Sequence, residues 1–95
     1  QLDRYAADAV TVLSGEPPQH RNATRLAEIV ASTERFERER DALDRRVDGI
    51  LPANLMYRVE TPHGAVGFRK PANVPVGRAS VTTTTGEVTV WVWYV

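Results

Sequence analysis

The stretch Val88-Thr89-Val90-Trp91-Val92-Trp93-Tyr94-Val95 decides the fold class. Side chains alternate across a β-strand, so Val88, Val90, Val92 and Tyr94 share one face while Thr89, Trp91, Trp93 and Val95 share the other. Both faces are apolar. A chain of 95 residues has helices enough to cover one face of such a strand, which leaves the other for a partner or a second copy. The strand therefore predicts association, with Trp91 and Trp93 at the interface.

Working back from it, residues 78–84 and 88–95 meet at Thr85-Gly86-Glu87, and residues 55–61 and 65–70 flank Pro62-His63-Gly64. Proline presets the first dihedral of a turn and glycine accommodates the return, so each pair reads as a hairpin. Between them, Pro71-Ala72-Asn73-Val74-Pro75-Val76-Gly77 is a loop, because two prolines cannot donate to a central ladder.

The segment before the hairpins is helical. Leu2, Tyr5, Ala6, Ala9, Val10 and Leu13 recur at three- and four-residue spacings, which predicts a helix over 2–14, ended by Gly15 and Pro17-Pro18. Asn22 suits the N-cap of a second helix over 23–48, with Gly49 and Pro52 as its stop. Ile29, Phe36, Leu43 and Ile50 recur every seven residues, and Leu26, Thr33, Arg40 and Val47 form an offset series, as in a coiled-coil seam. At about 1.5 Å per residue this helix would span roughly 40 Å and overhang its own sheet. That reading puts Phe36, Leu43 and Val47 on a stripe open to another helix. Glu34 with Arg38, and Asp41 with Arg45, stand at the spacing of helical ion pairs. Two helices followed by four antiparallel strands make a single α+β domain over 1–95.

Composition narrows the function. Acids and bases balance at 12 each, with 42% hydrophobic residues, which is a folded domain without a broad electrostatic field for polyanions. Eleven of the 12 basic residues are arginine. There is no cysteine, which excludes disulfides, thiolate metal sites and a cysteine nucleophile. No apolar run reaches the length of a membrane span, and the expected location is the cytoplasm, or a virion if the chain is of phage origin.

No catalytic signature is present. His20 and His63 lie 43 positions apart in loops, without carboxylates at metal-site or triad spacing. Asp41, Asp44 and Asp48 share a helix face, but Arg45 and Arg46 intervene, which favours solvation over metal binding. The expectation is no catalytic residue, no metal and no cofactor. Trp91 and Trp93 could also stack unpaired bases, with Arg58, Arg69, Lys70 and Arg78 holding phosphates, although an RNA-binding fingerprint is absent.

A charged helix leading into Val59-Glu60-Thr61-Pro62-His63-Gly64-Ala65-Val66-Gly67-Phe68-Arg69-Lys70-Pro71 resembles the helix-to-strand passage of phage Gam-type host-nuclease inhibitors. The resemblance covers about a third of the chain, and it implies a nuclease-blocking role. That family's helices are longer, and the threonine-rich hairpin and tryptophan-bearing terminus have no place in its pattern.

The leading expectation is a small non-catalytic assembly protein that self-associates or docks on a larger complex through its sheet face and long helix. The alternatives are a nucleic-acid-related protein, as a single-strand binder or Gam-like inhibitor, and a small-molecule enzyme or binding protein with a pocket between helices and sheet.

Overall fold

The computed structural model describes residues 1–17 and 24–95. Helices α1 (Leu2–Gly15), α2 (Arg25–Ile29) and α3 (Thr33–Ile50) precede strands β1 (Leu55–Thr61), β2 (Gly64–Gly67), β3 (Gly77–Thr83) and β4 (Gly86–Tyr94). The strands form one antiparallel sheet in the order β2-β1-β4-β3, so the architecture is α+β. The helices lie on one face, α1 over β3 and β4 and α3 over β2.

The alternation in β4 is realised as read. Val88, Val90 and Val92 are fully buried under the helices, beside Val59 and Tyr57 of β1. From above they meet Ala6, Ala9 and Leu13 of α1 and Phe36, Leu43 and Val47 of α3. Small side chains let α1 approach closely. At Gly77 an added Cβ would run into the Leu2 backbone, and Asp3 Oδ1 accepts a hydrogen bond from the Arg78 amide at 3.0 Å, covering part of the β3 edge.

The single helix expected over 23–48 is two. Ser32 caps α3 by accepting a bond from the Arg35 amide at 3.1 Å, as Thr24 caps α2 by accepting one from Ala27 at 3.0 Å. The expected cap Asn22, like His20, lies outside the described residues. The seven-residue spacing runs unbroken across the elbow, but the carbonyl of Val30 is satisfied from elsewhere: the Thr85 hydroxyl donates to it at 2.7 Å. On the other side of the elbow, Thr33 Oγ1 lies 3.1 Å from His63 Nδ1. Both hairpin tips thus latch onto the elbow.

Those tips share a design. Thr61 pairs with Gly64 and Thr83 with Gly86 across two-residue loops, and each threonine hydroxyl donates to its glycine's carbonyl at 2.8 Å. The second turn is therefore Thr84-Thr85, one step earlier than expected, with Gly86 at φ +140° inside the strand. The strand expected over 65–70 ends at Gly67, whose φ of +96° turns the chain out of the ladder. At the other ends, Gly15 and Gly49 are the helical residues expected to terminate α1 and the second helix; α3 runs on to Ile50.

Shortening the helix removes the overhang. Eighteen residues span about 27 Å, within the molecule's 39 Å long axis. Phe36, Leu43 and Val47 are at most 1% exposed and pack into this chain's own core, so the stripe expected to meet another helix is closed. Arg40, the charged member of the offset seven-residue series, has a role here: its guanidinium lies 5.5 Å from the Phe36 ring centroid and donates to the Ala65 carbonyl at 2.9 Å, tying α3 to β2. Asp44 is more than a solvated acid, since it accepts the Tyr57 hydroxyl at 2.6 Å. Burial, then that bond, push the Tyr57 hydroxyl well above the ordinary tyrosine range.

Candidate interaction site on the helix-free sheet face

Strand register builds this face in rows. Gly67, Arg58, Trp91 and Arg78 stand opposite one another across all four strands, and the next row is Ala65, Glu60, Thr89 and Ser80. Trp91 therefore has an arginine on each neighbouring strand and Glu60 on the diagonal. Its Nε1 donates to Glu60 Oε1 at 2.9 Å, and Glu60 Oε2 accepts from Arg58 Nε at 2.9 Å. A bonded indole edge fixes the plane of the ring.

Two cations address that ring. The connection over 68–76 must pass from the β2 edge to the β3 edge, and it brings Lys70 Nζ to 3.9 Å from the Trp91 centroid, while Arg78 Cζ lies at 5.4 Å. Such contacts contribute about 0.5 to 1 kcal/mol each when exposed. Glu87 faces Arg78 at 4.0 Å, and Ser80 Oγ meets Thr89 Oγ1 at 3.0 Å.

The two tryptophans share a face and differ in role. Trp91 is half-buried; Trp93, opposite Met56 at the end of the sheet that the connection crosses, is 4% exposed. A two-ring stacking platform is therefore not available, and one ring is. Of the basic residues expected near the sheet, Arg58, Lys70 and Arg78 surround Trp91, while Arg69 is exposed on the connection. Glu60, which anchors the indole, was missed by sequence reasoning; its place two residues from Arg58 on one strand face was the available signal. The face is consequently aromatic and charged, in place of the apolar surface expected.

The hydrogen bonds from Arg58 and Trp91 hold the Glu60 carboxyl below the usual carboxylate range, in spite of some desolvation. A lowered pKa favours the folded state above the unfolded value of about 4.3, and that contribution disappears as pH falls through the folded value. Acid titration of wild type and Glu60→Gln should therefore diverge only above that window, with the wild type losing stability on acidification and the variant flatter. The carboxylate is about half exposed, so the difference will be small.

Among the described residues, no group of three or more His, Cys, Asp or Glu side chains is placed to hold a metal, and no helix is long and apolar enough to cross a membrane. Residues 1–94 match the model of a family of unknown function, DUF7262. The chain belongs to DUF7262. No curated protein and no solved structure matches it. In this DUF7262 chain the segment that resembles the Gam-type passage is the β1–β2 hairpin followed by the first residues of the connection.

Proposed function

We propose that this DUF7262 protein is a non-catalytic assembly component that self-associates through the helix-free sheet face, with Trp91 at the centre. The observation that carries the reading is the mixture of signs around one fixed aromatic ring: Arg58, Lys70 and Arg78 alternate with Glu60 and Glu87. A two-fold interface brings the same patch against itself, so a face with both signs is self-complementary, whereas a polyanion would meet both carboxylates.

Size sets the strength. Four strands about 4.8 Å apart and roughly 23 Å long give a projected area of about 450 Å². That is below the roughly 800 Å² each partner contributes to a standard interface, so association should be weak and concentration-dependent. Light scattering from micromolar to millimolar protein should show the mass rising towards twice the monomer, less so in high salt, with Trp91→Ala remaining monomeric. A wild type that stays monomeric throughout removes the proposal.

Single-strand nucleic-acid binding is the second reading, supported by the two cations, Lys70 and Arg78, over the Trp91 ring and by Arg58 opposite it on β1. Affinity for a labelled oligonucleotide that falls steeply with salt would select it.

A further inference from the structure

The α2–α3 elbow carries a charged cluster that the sheet face does not use. Arg25, at the start of α2, is 7% exposed and holds two acids: its Nη1 is 3.4 Å from Glu28 Oε1 and its Nη2 is 2.8 Å from Glu39 Oε2. Glu28 is fully buried. With Arg35 and Arg38, these residues line a cleft of about 290 Å³, at the small end of ligand sites.

The charges in the cleft are unequally matched. Arg25 engages Glu39, the acid that stands four residues after Arg35 on α3. Arg38 does not form the expected pair with Glu34, and among the described residues the observed ion pairs of α3 are Arg25–Glu39, Glu37–Arg40 and Glu16–Arg46. Among the described residues, Arg35 and Arg38 therefore line the cleft with no ion-pair partner. Arg25 faces the cleft with its charge already shared between Glu28 and Glu39, and its Nε is buried behind them without a hydrogen-bond partner among the described residues. Guanidinium groups present planar donor pairs that match the oxygens of a phosphate or carboxylate. With both acids of the cleft bonded to Arg25, the guanidinium groups of Arg35 and Arg38 line it without an acid opposite them among the described residues.

We propose that the elbow cleft binds a phosphate-type oxyanion, gripped by Arg35 and Arg38 and backed by Arg25. Arg35 and Arg38 supply the charge; the Arg25–Glu28–Glu39 cluster fixes the floor and keeps the two acids away from the ligand. The site lies at the elbow, apart from Trp91, and owes nothing to the assembly reading.

Titration with inorganic phosphate at constant ionic strength, followed by NMR of arginine Nε–Hε and backbone amide resonances, tests it. Saturable shifts centred on Arg35, Arg38 and the first turn of α3 are expected, with chloride producing none. The double variant Arg35→Gln, Arg38→Gln should lose them while its thermal melt stays unchanged, because neither side chain is held in the fold. Phenyl phosphate in a parallel titration separates the sources: tighter binding than inorganic phosphate assigns the site to a phosphoryl group carried on a larger molecule, and equal binding assigns it to the free ion. Absence of saturation, or shifts that persist in the double variant, overturns the proposal.

Discussion

Leu43→Asp should leave the protein unfolded at neutral pH. Leu43 is 1% exposed, midway along α3, between Phe36 and Val47, which are fully buried. Truncation to alanine at such a position costs about 2 to 5 kcal/mol from lost burial and the cavity left behind. Aspartate adds the desolvation of a charge for which this apolar layer supplies no cation, several kcal/mol more unless the group takes up a proton. A domain of this size is stable by only about 5 to 15 kcal/mol, so the sum reaches the whole margin. Circular dichroism should show lost cooperativity at pH 7 and partial recovery on acidification, as the carboxyl becomes neutral. Arg38→Ala, on the exposed side of the same helix, should change the free energy of urea unfolding by no more than about 0.5 kcal/mol. Equal tolerance of both substitutions would mean that α3 does not pack on the sheet.

The same helix shows where sequence patterns stop being informative. Phe36, Leu43 and Val47 were legible as a buried stripe because periodicity reports which side of a helix is apolar; it does not report what covers that side. A partner helix and the chain's own sheet leave the same spacing. The break at Val30-Ala31-Ser32 was hidden for a related reason. Leu26 and Ile29 of α2 stay in register with Phe36 of α3; Ser32 is a local cap at the break, but the bend is also held by contacts from the hairpin tips, Thr85 to Val30 and His63 to Thr33, more than 25 residues distant. Turn chemistry was more readable. Pro62-His63-Gly64 and Gly86 marked both hairpins; the first loop is one residue shorter and its second strand ends earlier than expected, and the offset of the second was lost because four consecutive threonines give no local preference among registers. Of the candidate site, the residues were legible and their relations were not. Arg58, Lys70, Arg78 and Trp91 were named from composition near the sheet, but which strands adjoin decides that Arg58 and Arg78 flank Trp91, and the order β2-β1-β4-β3 is a long-range property.

Trp93→Ala should cost about 3 to 5 kcal/mol, and Trp91→Ala much less, although the two residues are two apart on the same face of one strand. Trp93 is 4% exposed and lies outside the main cluster of buried apolar residues, so its burial belongs to the far side of the sheet, where the connection over 68–76 crosses. Alanine there removes the more deeply buried of the two tryptophans on that side and leaves Met56 opposite a cavity. Trp91 contributes through contacts at its periphery that solvent weakens: two cations, about 0.5 kcal/mol each at exposed sites, and one bond to the half-exposed Glu60, about 0.5 kcal/mol. Its removal leaves Glu60 bonded to Arg58 and half exposed, so no buried group is orphaned. Urea unfolding should therefore rank Trp93→Ala far below wild type and Trp91→Ala close to it, while light scattering should reverse the emphasis, with Trp91→Ala losing self-association at concentrations where it is still folded. If Trp91→Ala proves as destabilising as Trp93→Ala, Trp91 is a core residue, and the helix-free face is not free to meet another copy.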